Sequence, residues 1–123
     1  PAFCDQWQIP YIKALKVEPG SDLTEQAAQY KEARGFLLDS VHDGQFGGTG
    51  QQFDWTLIPD NFARPIILAG GLNPATVGEA ITSLQPSAVD VSSGVEISPG
   101  NKDPEKIRQF MKAVKAAEKV VTT

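Results

Sequence analysis

Short apolar runs and helical patterns alternate along this chain of 123 residues, and the alternation constrains the fold more than any other feature. The apolar runs predict four strands, over residues 11–17, 36–38, 66–69 and 88–91. Helical patterns predict helices over residues 1–8, 23–33, 53–58, 74–84 and from residue 104 onwards. Strands that alternate with helices pair in parallel through right-handed crossovers. The pattern therefore predicts an α/β fold with one parallel sheet, in a single domain over residues 1–123.

Two of the helices begin with a capping residue followed by proline, at Asn73-Pro74 and at Asp103-Pro104. Apolar residues recur at helical spacing and predict the faces that turn toward the sheet. These inward positions are Leu23, Ala27, Tyr30, Val77, Ala80, Ile81, Leu84, Ile107, Phe110, Met111 and Val114. In the first helix Phe3, Cys4 and Trp7 share one face, so Cys4 is expected to be a core residue.

Small residues follow the third and fourth predicted strands. Gly70 and Gly71 come directly after residues 66–69, and Ser92 and Ser93 come after residues 88–91. The carboxyl ends of neighbouring parallel strands meet at one edge of a sheet, where backbone amides leading into a helical turn can bind an anion. The two stretches thus predict a phosphate site at Gly70, Gly71, Ser92 and Ser93. The alternative is that these residues only make tight turns between strand and helix.

Asp39 comes at the end of the second predicted strand, at the same edge of the sheet. A carboxyl group flanked by apolar residues and shielded by the glycine-rich segment 40–52 can have a raised pKa and donate a proton near neutral pH. Asp39 is therefore the candidate general acid; the alternative is that it caps the loop through backbone amides. Asp90, inside the fourth strand, is predicted to hold loop backbone or a neighbouring polar side chain. His42 is predicted to be solvated.

Composition argues against several classes of function. A net charge of −4 argues against nucleic acid as a general partner. One cysteine excludes an internal disulfide, and one cysteine with one histidine cannot assemble a zinc cluster. No signal peptide or bilayer-spanning apolar run is evident, so a cytoplasmic protein is expected. The basic residues after residue 100 are predicted to form the solvated face of the last helix: Lys102, Lys106, Arg108, Lys112, Lys115 and Lys119.

Four stretches of the sequence resemble, in order and spacing, the C-terminal half of the phosphoribosylanthranilate isomerase family. They are LLDS (37–40), GGTGQQFDW (47–55), LAGGLNP (68–74) and VDVSSGVEISPGNKD (89–103). The resemblance implies the C-terminal half of a (β/α)8 TIM barrel, with the chain starting in the family's fourth helix. It also implies a place in tryptophan biosynthesis, in the Amadori rearrangement of N-(5′-phosphoribosyl)anthranilate to 1-(2-carboxyphenylamino)-1-deoxyribulose 5-phosphate. The family uses no metal and no organic cofactor.

The resemblance also implies roles for particular residues. Asp39 matches the general acid that opens the ribose ring, and the phosphate binders match Gly70, Gly71, Ser92 and Ser93. The family's general base is a cysteine in a Lys-x-Cys-Gly stretch on the first strand, which this sequence lacks. Cys4 stands in the position of the fourth helix and does not inherit that role. The arginine that meets the anthranilate carboxylate is also missing.

Three interpretations stay open from the sequence. The first is the isomerase itself, represented by its C-terminal half and inactive alone. The second is another phosphate-binding barrel enzyme of the pathway, such as indole-glycerol-phosphate synthase, whose lysine and glutamate constellation is not found. The third is a non-catalytic half-barrel that binds phosphate or self-associates. Because a half-barrel would expose its inner face, with Leu37, Ile67 and Val89, we expect the chain to pair with the missing half or with a second copy.

Overall fold

Four strands form one parallel sheet in the order in which they follow along the chain. The computed structural model describes residues 1–20, 22–40, 58–59, 62 and 64–122. Its elements are α1 (Ala2–Asp5), β1 (Ile12–Val17), α2 (Leu23–Ala28), β2 (Gly35–Ser40), β3 (Ile66–Ala69), α3 (Val77–Leu84), β4 (Ala88–Val89), a 3-10 helix (Ser93–Val95), β5 (Glu96–Ser98), β6 (Asn101–Lys102) and α4 (Pro104–Thr122). The predicted α/β class and the four parallel strands that alternate with helices are confirmed. The predicted helix before residue 58, most of the glycine-rich segment and His42 lie outside the described residues.

The register of the sheet divides each strand between two faces. Leu15 pairs with Leu38, and Leu38 pairs with Leu68. These leucines, together with Phe36, are at most 5% exposed and pack with buried residues of α2, α3 and α4. Because successive strand residues alternate between faces, this row defines the helix-covered face of the sheet.

The opposite face is open over much of its area. Ile12 is 53% exposed, Ala14 and Ala88 are exposed, and Leu37 and Ile67 are only half-buried. The expectation that Val89 belongs to this face is wrong. Val89 pairs with Leu68, and the period of two therefore places it on the helix-covered face.

Helix α3 begins as its capping sequence predicts. The Asn73 side chain accepts hydrogen bonds from the amides of Ala75 and Thr76, at 2.8 and 3.0 Å. Regular helix then starts at Val77, three residues after the predicted start at residue 74, because residues 74–76 form the turn that this cap stabilises. The predicted inward residues of α3 are buried, apart from Leu84, which is partly buried.

Helix α4 packs through a narrower stripe than the sequence predicts. Phe110, Val114 and Ala117 are buried, whereas Ile107 is 41% and Met111 47% exposed, so the inward positions of these two residues are wrong. Consecutive helical residues are turned by about 100°, and a helix that contacts its neighbours along one line leaves flanking apolar residues outside.

Two predicted helices are shorter than expected. Helix α1 ends at Asp5 instead of residue 8, Phe3 and Trp7 are exposed, and Cys4 is half-buried, so its assignment to the core is wrong. Helix α2 ends at Ala28 instead of residue 33. Arg64 explains this early end. Its guanidinium donates to the carbonyls of Ala27, Tyr30 and Ala33, and these hydrogen bonds take the place of those that a longer helix would form.

The segment after β4 also differs from the prediction. Strand β4 stops at Val89 instead of residue 91, and β5 and β6 form an antiparallel hairpin that was not predicted. Pro99 and Gly100 form its turn, and Gly100 has a φ of 79°, a conformation that favours glycine. This hairpin projects from the end of the sheet where the candidate site lies.

Candidate active site at the carboxyl ends of the strands

Asp39 lies at the carboxyl end of β2, on the open face of the sheet. Its neighbour Leu38 is completely buried against the helices, so the alternation of the strand directs Asp39 to the other side. In the register of the sheet Asp39 lies between Lys16 on β1 and Ala69 on β3. The carboxyl group is thus half-buried at the edge where the sequence predicts the site.

The surroundings of Asp39 favour its protonated form. Burial raises the pKa of the Asp39 carboxyl above its ordinary value, and the negative charge of Asp90 raises it further. The Lys16 ammonium opposes both effects and lowers the pKa in part. An acid with a raised pKa keeps its proton to higher pH, which suits a group that donates a proton.

Asp90 lies at the same edge, directly after β4, and β3 separates β4 from the strand that carries Asp39. The amide of Asp90 donates to the carbonyl of Leu68 at 2.8 Å, which continues the pairing of β3 with β4 past Val89. Asp90 therefore follows the exposed Ala88 on the open face, the face that also carries Asp39. Its exposed carboxylate acts on Asp39 through charge.

The glycine stretch after β3 needs its glycines for backbone conformation. Gly70 and Gly71 have φ angles of 80° and 70°, in the left-handed region that L side chains rarely adopt. Two consecutive residues of this kind reverse the chain immediately after Ala69 and lead into the capped turn at Asn73.

The residues that follow the glycine stretch, Leu72 and Asn73, closely approach Gly94 of residues 92–94, which we call the serine loop. A Cβ built on Gly94 would lie 1.9 Å from the carbonyl oxygen of Leu72 and 3.1 Å from Cα of Asn73. Any side chain at residue 94 would push the two loops apart. The structure thus brings together the two stretches that the sequence pairs, and Gly94 is the residue that permits their contact.

Several backbone amides at this junction have no acceptor among the described residues. Hydrogen bonds among the described residues do not use the amides of Gly71, Ser92 or Ser93 as donors. Ser92 and Ser93 are exposed, and they directly precede Gly94, which meets the residues that follow the glycine stretch. Unpaired amides gathered at the end of a sheet are the donors that an anion would require.

Lys102 is a residue of this region that sequence analysis misplaced. It lies in β6, not on the face of the last helix, and its Nζ donates to the Ser92 carbonyl at 3.0 Å and to Glu96 Oε2 at 2.6 Å. The lysines and arginine that do lie on α4 are exposed, as predicted. The sequence signal that could have placed Lys102 correctly is Pro99-Gly100, which marks a turn that brings Lys102 back toward residue 92.

The opposite edge of the sheet holds a pocket of a different kind. A cavity of about 170 Å³ lies at the amino ends of β3 and β4, lined in part by Arg64, Pro65, Gln85 and Ser87. It lies at the other end of the strands from Asp39, so it is separate from the candidate site. Among the described residues there is no cluster of three or more histidine, cysteine or acidic side chains that could hold a metal ion. No described helix is long and apolar enough to cross a membrane.

Comparison with known proteins connects this geometry to one family. A sequence profile described as N-(5′-phosphoribosyl)anthranilate (PRA) isomerase matches residues 3–113. The N-(5′-phosphoribosyl)anthranilate isomerase of Pseudomonas fluorescens strain SBW25 is 56% identical over 115 residues, which are 94% of this chain and 55% of that protein. The corresponding protein of Nitrosospira multiformis is 52% identical over 118 residues, 96% of this chain and 57% of its own length.

Solved structures agree with the sequence match. The phosphoribosyl anthranilate isomerase of Thermotoga maritima superposes with a TM-score of 0.76 at 42% identity, over 94% of this chain and 56% of that chain. A second structure of such an isomerase, in complex with reduced 1-(o-carboxyphenylamino)-1-deoxyribulose 5-phosphate, has a TM-score of 0.71 at 39% identity, over 94% of this chain and 53% of that chain.

The fold and the site define an α/β protein with an acidic, amide-rich site at the carboxyl ends of a parallel sheet. The chain belongs to the N-(5′-phosphoribosyl)anthranilate isomerase family. It spans about 55% of the length of the curated relatives that it matches.

Proposed function

We propose that this chain provides the general acid and the phosphate site of a phosphoribosylanthranilate isomerase. The observation that carries the proposal is the position of Asp39, a half-buried carboxyl on the open face whose pKa is raised by burial and by the charge of Asp90. Membership of the family supports the assignment of the substrate, N-(5′-phosphoribosyl)anthranilate.

Asp39 donates its proton to the ring oxygen of the ribose, and the bond between that oxygen and C1′ breaks to give an open-chain Schiff base. A base then removes the proton from C2′, and the resulting enolamine becomes the ketone of the product. Asp90 contributes by keeping Asp39 protonated through its negative charge. The base comes from outside this chain, because the family's Lys-x-Cys-Gly stretch is not in its sequence.

The substrate phosphate binds to the amides of Gly70, Gly71, Ser92 and Ser93. Two observations support this site: the positive φ angles of Gly70 and Gly71 turn the chain after β3, and the close approach of Gly94 to Leu72 brings the two stretches of backbone together. Backbone amides carry no net charge, so several of them must point at a phosphate together to stabilise its negative charge. The complex of a related isomerase with a phosphorylated ligand supports the same class of substrate.

The open face of the sheet is covered by further structure in the active protein. The half-buried Leu37 and Ile67 and the exposed Ile12 belong to an inner wall of a (β/α)8 barrel, of which this chain forms the C-terminal half. The N-terminal half of the barrel is the partner that we propose, and it supplies the missing base. A second copy of the chain is the alternative occupant of the same face and would leave a phosphate-binding protein without turnover.

Complementation tests this proposal. The chain is mixed with the N-terminal segment of the Pseudomonas fluorescens relative, the part that this chain does not match, and turnover of phosphoribosylanthranilate is followed by fluorescence. We expect turnover from the mixture and none from either polypeptide alone. Light scattering of the mixture should show a one-to-one complex. A folded one-to-one complex without turnover would contradict the catalytic proposal, and a stable complex of two identical chains that excludes the added segment would favour the alternative.

A further inference from the structure

We propose that Lys102 is the positioning residue of the phosphate site: it orients the serine loop for the phosphate without binding the phosphate itself. This inference rests on the phosphate site proposed above and assigns the group that sets its geometry. Lys102 lies ten residues after Ser92 and reaches it because the turn at Pro99-Gly100 folds β6 back on β5.

Three acceptors surround the ammonium group of Lys102. They are the Ser92 carbonyl oxygen at 3.0 Å, Ser92 Oγ at 3.4 Å and Glu96 Oε2 at 2.6 Å. A lysine ammonium has three N–H donors and no more. All of its donors are therefore directed at the protein, and the adjacent Glu96 carboxylate balances its charge. Lys102 is thus suited to hold the loop and has no donor left for a phosphate.

The hydrogen bond to the Ser92 carbonyl determines where the next amide points. A peptide unit is planar, and in a trans peptide its C=O and N–H point in opposite directions. The chain has no cis peptide bond among the described residues, so a Ser92 carbonyl turned toward Lys102 directs the Ser93 N–H away from Lys102. Val95 N–H donates to the same carbonyl at 3.3 Å and reinforces this orientation.

The serine loop is held from two sides. On one side Gly94 contacts the Leu72 carbonyl, and on the other Lys102 holds the Ser92 carbonyl. Lys106, in the first turns of α4, donates to the Glu96 carbonyl at 2.9 Å and anchors the end of the segment without touching Ser92. Removal of Lys102 would leave the contact of Gly94 and the longer hydrogen bond from Val95 in place, and would loosen the orientation of the Ser92–Ser93 peptide unit.

The Glu96 carboxylate reports on the same contact. Its hydrogen bond from Lys102 lowers the pKa of Glu96 below its usual value. Neutralisation of Glu96 therefore separates two modes of action. If Lys102 acts through the Ser92 carbonyl, neutral Glu96 holds its ammonium less firmly and phosphate binding should weaken. If Lys102 bound phosphate directly, neutral Glu96 would leave it a free donor and an unbalanced positive charge, and phosphate binding should tighten.

The test measures binding of inorganic phosphate by the 123-residue chain, alone and in the complemented mixture, by calorimetry and by amide shifts in NMR. Lys102→Met should raise the Kd at least 10-fold, and Lys102→Arg should stay within about 3-fold of wild type, since a guanidinium also donates to a carbonyl. Lys106→Met is the matched control and should change the Kd by less than about 2-fold. In the complemented enzyme, Lys102→Met should raise KM with kcat within about 2-fold, the sign of lost uniform binding.

Each result decides a different point. Wild-type binding that Lys102→Met leaves unchanged would overturn the role of Lys102 and leave the proposed phosphate site standing. A chain that binds no phosphate in either preparation would overturn the proposed site and this inference with it. Glu96→Gln should weaken phosphate about 2- to 5-fold, and tighter binding by this variant would show that Lys102 is a direct ligand. Should Lys102→Met fail to fold, the Lys102→Arg and Glu96→Gln results decide between the two modes.

Discussion

The two faces of the sheet are built from adjacent residues of the same strands and serve opposite purposes. On the helix-covered face Phe36, Leu38 and Leu68 are completely buried. On the open face, Asp39 and Asp90 stand at the carboxyl ends above the incompletely buried Leu37 and Ile67. Leu38, which stabilises the fold, and Asp39, the candidate acid, are adjacent residues that point to opposite faces. Stability and catalysis can therefore be altered separately by substitutions at neighbouring positions.

The largest effect is expected from removal of the acid on the open face. In the complemented enzyme, Asp39→Asn should lower kcat by about 10²–10⁴-fold, the usual contribution of a positioned acid. The free energy of unfolding should not decrease, because a raised pKa means that ionised Asp39 destabilises the folded chain. Steady-state kinetics and thermal unfolding measure the two quantities. Asp5→Asn is the matched control for kcat, since Asp5 is an exposed carboxylate on α1. A near wild-type kcat for Asp39→Asn would remove Asp39 from the mechanism.

Leu38 and Leu37 provide the most direct test of the two faces. Leu38→Ala should decrease the free energy of unfolding by about 2–5 kcal/mol, because it opens a cavity in a fully buried site. Leu37→Ala makes the same chemical change on the open face of the isolated chain and should decrease the free energy of unfolding by about 1 kcal/mol or less. Urea unfolding of the chain alone gives both values. In the complemented complex the cost at Leu37 should rise, and equal costs at both positions in the isolated chain would contradict the assignment of faces.

The third effect concerns the phosphate site. Gly71→Val should weaken inorganic phosphate at least 10-fold, because the side chain strains a φ of 70° and blocks the approach of a ligand to the backbone. Ser93→Ala should weaken it by about 3-fold or less, since the proposed donors are amides. Gly20→Val controls for strain, because Gly20 has a φ of 85° and open space around its Cβ position. If Gly20→Val also lost phosphate binding, the effect of Gly71→Val would be due to a loss of folding stability and not to a blocked site.

The smallest effect is a change in the pH dependence. A general acid must be protonated, so kcat/KM should fall as pH rises through the pKa of Asp39. Asp90→Asn removes a charge that raises this pKa and should move the alkaline limb to lower pH. Lys16→Met removes a charge that lowers the pKa and should move the same limb to higher pH. Opposite shifts in the two variants are the expected result, and shifts in one common direction would contradict the electrostatic account.

Much of the fold was predictable because it depends on neighbours in the chain. Strand β3 has its predicted bounds, and β1 differs by one residue, because runs of apolar residues at strand spacing have few other ways to be buried. The caps at Asn73 and Asp103 form local hydrogen bonds within three residues. The candidate acid and the small-residue stretches were predictable for the same reason, since each follows an apolar strand whose end determines its place.

Contacts between distant residues were decided by the tertiary structure. Arg64 ends α2 across more than 30 residues of sequence, and Gly94 fits against Leu72 only because two loops meet at the end of the sheet. Lys102 could be placed on a helix from its neighbours, yet the hairpin directs it to the Ser92 carbonyl. The sequence by itself determined the alternation of strands and helices and the place of the candidate acid at a strand end, because periodicity and capping act over a few residues. Which stretches of backbone touch, and which lysine holds them, follows from packing, where the energy of a contact depends on elements far apart in the chain.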